Sequence, residues 1–138
     1  EEKYGRMMES TAPEQYEGMK EHFPEIAPEK KEIIERIVAL QVAWMEEFAA
    51  EYPYLAGNAR RIHSYEDNDW DTSYETYLRG EISTYSDKML ELYGRYIAAH
   101  GTAGQNLARE IMTHSVRMYG YENLEDAEEG QRRETEQR

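Results

Sequence analysis

The chain has 138 residues and carries 29 acidic against 16 basic side chains, which gives a formal net charge of −13 at neutral pH. This balance argues against binding to nucleic acid, whose phosphates require clustered Lys and Arg, and it favours basic or neutral partners. The absence of Cys excludes disulfides, thiol catalysis and thiolate metal sites, and no stretch has the roughly 18 apolar residues of a membrane span.

Two short helices are predicted near the N-terminus. Tyr4, Met7 and Met8 have helical spacing. Thr11 and Glu14 match a capping box that would open the second helix. The sequence begins without Met and its first ten residues are polar and amphipathic, so we expect an excised fragment or a processed chain without a signal peptide.

The clearest predicted helix runs from Pro28 to about Tyr52. Its side chains repeat at intervals of three and four residues, which places them on one face. The stripe consists of Ile33, Ile34, Ile37, Val38, Gln41, Trp44, Met45, Phe48 and Tyr52. Gln41 within this stripe either forms a structural hydrogen bond or orients a ligand beside Trp44. Pro53 ends the helix, and residues 55–61 are predicted to form a loop.

Residues 58–71 show no sustained periodicity. A linker of this length inside a compact domain is often functional. The alternative is a loop that lies across the helices and buries Ile62, Tyr65 and Trp70 as anchors.

A long helix is predicted over about Thr72–His100, and another over about Thr102–Tyr119. Gly80 and Gly94 weaken the first of these, so each is a candidate for a close helix crossing. A short helix over 122–129 and a disordered tail over 130–138 follow. Because no segment alternates with period two, the fold class is all-α: an antiparallel helical bundle of four main helices plus a short C-terminal helix, with one long loop, forming a single domain over 1–129.

The start of the long helix carries the first candidate site. Thr72 and Glu75 match a second capping box, and Glu75 lies four residues before Arg79, the spacing of a helical ion pair. Both features have a structural explanation. However, Glu75 and Glu81 also flank the apolar stripe of this helix, where partial burial would raise a carboxyl pKa towards the acid–base range.

Catalysis, if present, is restricted to Glu, His and Tyr acid–base chemistry or to a metal, because no nucleophile motif and no phosphate-binding Gly loop occurs. His114 lies between apolar positions of the last long helix, where it is either a core residue or a functional one. The catalytic candidates are Glu75, Glu81 and His114. The ligand-binding candidates are Gln41, Trp44, His63, Trp70, Arg79 and Tyr85. No spacing identifies a metal site, and no cofactor is predicted.

Four stretches carry a resemblance to a known family. They are "STAPEQYE" (Ser10–Glu17), "IVALQVAWMEEFAAEYPYLAG" (Ile37–Gly57), "RIHSYEDNDWDTSYETYLRGEISTYSDKMLELY" (Arg61–Tyr93) and "GQNLAREIM" (Gly104–Met112). The chain up to about Glu129 resembles the bacterial domain of unknown function 4125. The resemblance implies a bacterial cytoplasmic origin and no mechanism.

The resemblance implies that family members contain an internal repeat, because they carry an Asp-Asp-x-Trp-Glu-Thr block ahead of the part that corresponds to this chain. Trp-Asp-Thr occurs once here, at 70–72, so residues 2–17 would correspond to 110–125 of the second unit. The resemblance therefore implies a truncated member or C-terminal portion. An apolar face left exposed could be covered by a second copy, as in a homodimer.

Three functions are compatible with these sequence patterns. The first is a cytoplasmic binding or interaction module for a protein or an unknown small ligand, with a pocket lined by Gln41, Trp44, Tyr85 and the 58–71 loop. The second is an enzyme that uses Glu75, Glu81 and His114. The third is a purely structural subunit.

Overall fold

The computed structural model describes residues 2–137, which form eight α-helices and two 3-10 helices and, within that range, no strand. The all-α class is thus confirmed. The α-helices are α1 (Glu2–Thr11), α2 (Pro13–Met19), α3 (Pro28–Glu51), α4 (Pro53–Gly57), α5 (Tyr74–Ser83), α6 (Asp87–Thr102), α7 (Leu107–Met118) and α8 (Leu124–Glu136). The 3-10 helices are Lys20–His22 and Ser64–Glu66.

The helix α3 lies at the centre of the fold, and its predicted extent is confirmed within one residue. Against it pack α5, α6 and α7. The main core consists of Ile34, Ile37, Val38, Val42, Trp44, Leu78, Ile82, Leu90, Ile97, Leu107 and Ala108. Burial of this apolar surface is the main source of stability, at about 25 cal/mol per Å² removed from water.

The single helix predicted over 72–100 is wrong, because α5 ends at Ser83 and α6 begins at Asp87. The hydroxyl of Ser86 accepts a hydrogen bond from the Met89 N–H at 3.1 Å and so caps a new helix. The apolar periodicity continues across the break, which hides it from the sequence pattern.

Three other predicted boundaries are also corrected. Ala12 lies at the N-cap of α2 without a side-chain hydrogen bond, so the capping box of Thr11 and Glu14 does not form. The loop predicted after Pro53 begins instead as α4. The last long helix starts at Leu107, because the Asn106 side chain accepts from the Arg109 N–H at 3.0 Å.

The C-terminus is helical up to Glu136, which corrects the predicted disordered tail; Arg138, its last residue, lies outside the described residues. Although this segment has few apolar residues, Arg132 pairs with carboxylates on both sides, Glu129 and Glu136. The Glu128 carboxylate accepts the N–H groups of Tyr54 and Leu55 at 2.9 and 2.8 Å. These contacts, together with a second apolar cluster, fix α8 on α4. The cluster contains Phe48, Tyr52, Val116, Leu124 and Ala127.

Of the two predicted glycine crossings, the one at Gly80 is confirmed. A β-carbon there would lie 2.9 Å from the Lys3 carbonyl oxygen and 2.8 Å from Met7 Cγ, so α1 crosses α5 at this residue. At Gly94 the nearest atom, Ile37 Cδ1, is 3.5 Å away, an ordinary contact. No described helix combines the length and apolar character needed to cross a membrane.

Candidate functional site

The loop over 58–73 is attached to α1 and α5 by one carboxylate. Asp67 accepts hydrogen bonds from the hydroxyls of Ser10 in α1 and Thr76 in α5, and from the Ser73 N–H at 2.6 Å. Ser73 and Thr76 are almost completely buried. Burial alone would raise the pKa of Asp67, but these hydrogen bonds outweigh it and lower that pKa. Asp67 is therefore an ionised structural group, and sequence analysis did not single it out.

A second carboxylate closes the base of the loop. Glu75 accepts from the Ser64 N–H at 2.9 Å and from Arg79 at 2.7 Å, which confirms the predicted ion pair. Arg79 also reaches Glu35 on α3 at 2.8 Å. Burial would raise the pKa of Glu75, but the Ser64 and Arg79 contacts lower it. The pKa rise predicted for Glu75 is thus wrong in direction.

The cap of α5 differs from the predicted one. Ser73 is the N-cap, and its hydroxyl accepts from the Thr76 N–H at 3.2 Å, whereas the Glu75 side chain is engaged by Ser64 and Arg79. The capping box of Thr72 and Glu75 is therefore wrong by one residue.

We expect Ser73→Ala to lower the free energy of unfolding by about 1–2 kcal/mol, because it removes a buried cap. The matched control is Thr72→Ala, which removes a neighbouring hydroxyl that does not cap the helix and should change stability by less than about 0.5 kcal/mol. Urea denaturation of the two variants measures both values. Equal losses would contradict the assignment of Ser73 as the cap.

Beyond Asp67 the chain makes a tight turn, residues 67–71, here called the Trp70 turn. The Asn68 side-chain oxygen accepts the N–H groups of Trp70 and Asp71 at 2.8 and 3.0 Å. The turn leaves the Trp70 side chain 93% exposed, and Tyr65 nearby is 82% exposed. The prediction that both are buried anchors is wrong, and only Ile62 packs on the core. The hydrogen bonds to the Asp67 and Glu75 carboxylates, together with the Ile62 contact, hold the loop in place.

Trp70 borders a shallow groove of about 680 Å³, here called the Trp70 groove. It is lined by Tyr4 and Met7 of α1, Tyr77 of α5, and loop residues. Those loop residues are Ala59, Arg60, Arg61, Glu66, Trp70, Asp71, Thr72 and Ser73. The groove thus combines three aromatic rings with charges of both signs.

Tyr77 lines this groove and is contacted by two cations. Lys3 Nζ lies 3.8 Å from its ring centroid, and the Arg60 guanidinium carbon lies 4.8 Å from it. Lys3 also pairs with Glu81 at 3.7 Å. Each exposed cation–π contact of this kind contributes about 0.5–1 kcal/mol. The Lys3 contact joins α1 to α5, and the Arg60 contact joins the loop to α5.

A second groove of about 910 Å³ lies on the other side of α1, beneath α2. It is lined by the aromatic rings of Tyr16 and Phe23 and, from the core side chains and α5, by Ile34, Thr76 and Gly80. Its remaining lining residues are Arg6, Glu9, Ser10, Lys20, Glu21, Pro24, Glu25, Ile26, Lys31, Glu35, Ser64, Arg79 and Ser83.

Gln41 and Trp44, predicted to line a ligand pocket, are buried side chains of α3. Gln41 donates to the Tyr93 hydroxyl at 2.8 Å and accepts from the Tyr74 hydroxyl at 3.0 Å, so its amide is satisfied. Trp44 is buried in the core, and neither residue lines a groove described above. Tyr85 lies in the turn after α5 and packs edge-on against Tyr93 at 5.8 Å.

The three catalytic candidates are divided between two helices. Glu75 and Glu81 belong to α5, which packs on α1 and α3, whereas His114 is exposed on α7, which packs on α3 and α8. His63 lies in the loop, 3.6 Å from Glu46 and 3.5 Å from Glu66.

The six ligand-binding candidates are not brought together at one site. Among these candidates, Trp70 lines the Trp70 groove and Arg79 lines the groove beneath α2. Within residues 2–137 no group of three or more His, Asp or Glu side chains is placed to hold a metal ion.

Comparison with known proteins identifies a family for this chain. No curated protein and no solved structure matches the chain. The model of the family described as "Protein of unknown function (DUF4125)" matches residues 1–129, nearly the full chain. The stretches that carry the sequence resemblance, including the loop and the start of α5, lie inside this range. The chain therefore belongs to the DUF4125 family.

Proposed function

We propose that this chain is a protein-interaction module and that its partner docks on the Trp70 turn and the adjoining Trp70 groove. The observation that carries the proposal is the 93% exposure of Trp70 on a turn whose backbone is held by Asn68 and Asp67. The free energy of the system falls when a partner covers a large apolar ring that was exposed to water. Because the turn is already ordered, little conformational entropy is lost on binding.

The composition of this surface favours a protein over a small molecule. Trp, Tyr and Arg are the side chains most enriched at the centres of protein interfaces, and the groove presents Tyr4, Trp70, Tyr77 and two arginines. Small-ligand pockets enclose most of their ligand, whereas Trp70 and Tyr4 stand largely in solvent. The net charge of −13 also disfavours nucleic acid as the partner.

A cytoplasmic location fits the lack of Cys. A second copy of the chain is one candidate partner, although two copies of net charge −13 repel each other. An enzyme with Glu75, Glu81 and His114 is disfavoured, because the two carboxylates lie on α5 whereas the imidazole lies exposed on α7.

Selection from a library of short random peptides displayed on phage tests the proposal. We expect wild-type protein to enrich a set of related peptides, and Trp70→Ala to lose their binding at least about tenfold, as expected of an interface hot spot. The matched control is Tyr119→Ala, which removes a ring 82% exposed at the far end of α7. It should leave peptide binding unchanged.

Both variants alter exposed side chains, so their unfolding midpoints should stay close to that of the wild type. Enriched peptides that bind Trp70→Ala as well as wild type would overturn the proposal. Failure to enrich any related peptides would also overturn it.

A further inference from the structure

We infer that the partner presents a basic segment, with a Lys or Arg side chain seated on the Trp70 ring between Asp69 and Asp71. The inference rests on the proposed function, because it assigns the chemistry of the partner that docks on the Trp70 turn. Trp is the aromatic residue that binds cations best through its ring face. A flanking carboxylate adds a second attraction for the same cation.

The carboxylates on either side of Trp70 are available. Asp69 and Asp71 are exposed, and neither forms an ion pair with a residue of the described 2–137 range. By contrast, Asp67 is occupied by Ser10, Thr76 and Ser73. The backbone hydrogen bonds of the turn therefore present one ring and two free carboxylates together.

The field of the whole protein acts in the same direction. With 29 acidic against 16 basic side chains, the surface attracts cations over the Debye length of about 8–10 Å. Such a field raises the rate at which a basic partner arrives. The Trp70 turn then supplies the close contacts that decide where the partner is held.

The Trp70 groove also contains two arginines, whose positive charge would repel a basic partner unless it is directed elsewhere. Arg60 is directed back onto the protein, where its guanidinium lies against Tyr77 and donates to the Thr72 carbonyl at 3.3 Å. Arg61 is exposed and has no ion pair within residues 2–137. Arg61 therefore opposes a basic partner, and its removal is expected to strengthen binding.

Calorimetric titration with two capped peptides, tetra-arginine and tetra-glutamate, tests the inference. We expect tetra-arginine to bind and tetra-glutamate not to bind at low ionic strength. The double variant Asp69→Asn with Asp71→Asn should weaken tetra-arginine binding about threefold to tenfold, as expected for two exposed ion pairs. Arg61→Ala should tighten it about twofold to threefold by the same argument.

The matched control separates the turn from the general field. Glu14→Gln with Glu134→Gln removes the same charge at exposed carboxylates on α2 and α8, outside the Trp70 groove. It should leave binding within about twofold of wild type. An equal loss in this control and in the Asp69 and Asp71 variant would overturn the inference.

The outcomes also distinguish this inference from the proposed function. If library peptides bind through Trp70 but are acidic or neutral, and tetra-arginine does not bind, only the basic partner is overturned. If no peptide of any charge depends on Trp70, the interaction surface itself is overturned.

Discussion

Replacing Asp67 by Ala is expected to lower the free energy of unfolding by about 3 kcal/mol, which is a large loss for one polar side chain. Three donors lose their acceptor: the hydroxyls of Ser10 and Thr76 and the N–H of Ser73. Two of the donors are buried, so water does not replace the carboxylate without disturbing the packing. Urea denaturation at neutral pH measures the loss.

The matched control is Asp69→Ala, two residues along the same turn. Its carboxylate is exposed and without an ion pair within residues 2–137, so its removal should change stability by less than about 0.5 kcal/mol. A comparable loss in both variants would show that the turn as a whole, rather than the Asp67 carboxylate, holds the loop.

The pH dependence of the Asp67 effect has a definite sign. Its pKa is lowered in the folded protein. The ionised carboxylate therefore stabilises the fold fully above its unfolded pKa of about 3.9, and this contribution is lost as the pH falls through the folded pKa. The difference in stability between wild type and Asp67→Asn should accordingly shrink below about pH 4. A constant difference down to about pH 2 would contradict an ionised Asp67 in this role.

The parts of the fold that the sequence predicted are those with local signals. The helix α3 was identified because an apolar stripe of many turns starts and stops at prolines. The division between α5 and α6 was missed because a single hydroxyl, Ser86, decides it while the apolar period continues. The short C-terminal helix over 122–129 is predicted, but its extension to Glu136 is not, because ion pairs and a contact with the end of α4, rather than apolar content, stabilise that part.

The candidate site was harder to predict because its contacts join distant parts of the chain. Asp67 bonds to Ser10, 57 residues away, and no local pattern identifies that pairing. The ion pair of Glu75 and Arg79 was predictable, since both residues lie on one helix. The exposure of Trp70 was predicted wrongly, because composition favours burial of Trp and only the hydrogen-bonded turn explains why it points into solvent.

Substitution of Gly80 is expected to cause the second large loss of stability, because α1 contacts α5 at this residue. A β-carbon at this residue would meet the backbone carbonyl oxygen of Lys3 at 2.9 Å, and a backbone atom moves only if α1 moves with it. Gly80→Leu therefore has to displace α1. This helix also carries the buried Met7 and Ser10, whose hydroxyl donates to Asp67. We expect a loss of about 3 kcal/mol or more in unfolding free energy, at the upper end for overpacking.

The identical change to Ala at two glycines makes the test sharper. Alanine favours a helix over glycine by about 1 kcal/mol, so Gly94→Ala, with only an ordinary contact to Ile37, should stabilise the protein by up to that amount. At Gly80 the clash with α1 outweighs the same gain, and Gly80→Ala should destabilise by about 1 kcal/mol net. Hydrogen exchange should show faster exchange of α1 amides in both Gly80 variants and unchanged exchange in Gly94→Ala. If Gly80→Ala stabilised the protein as Gly94→Ala does, α1 would not be seated on α5 at this residue. The position of α1, which contributes lining residues to both grooves, would then differ from the one described.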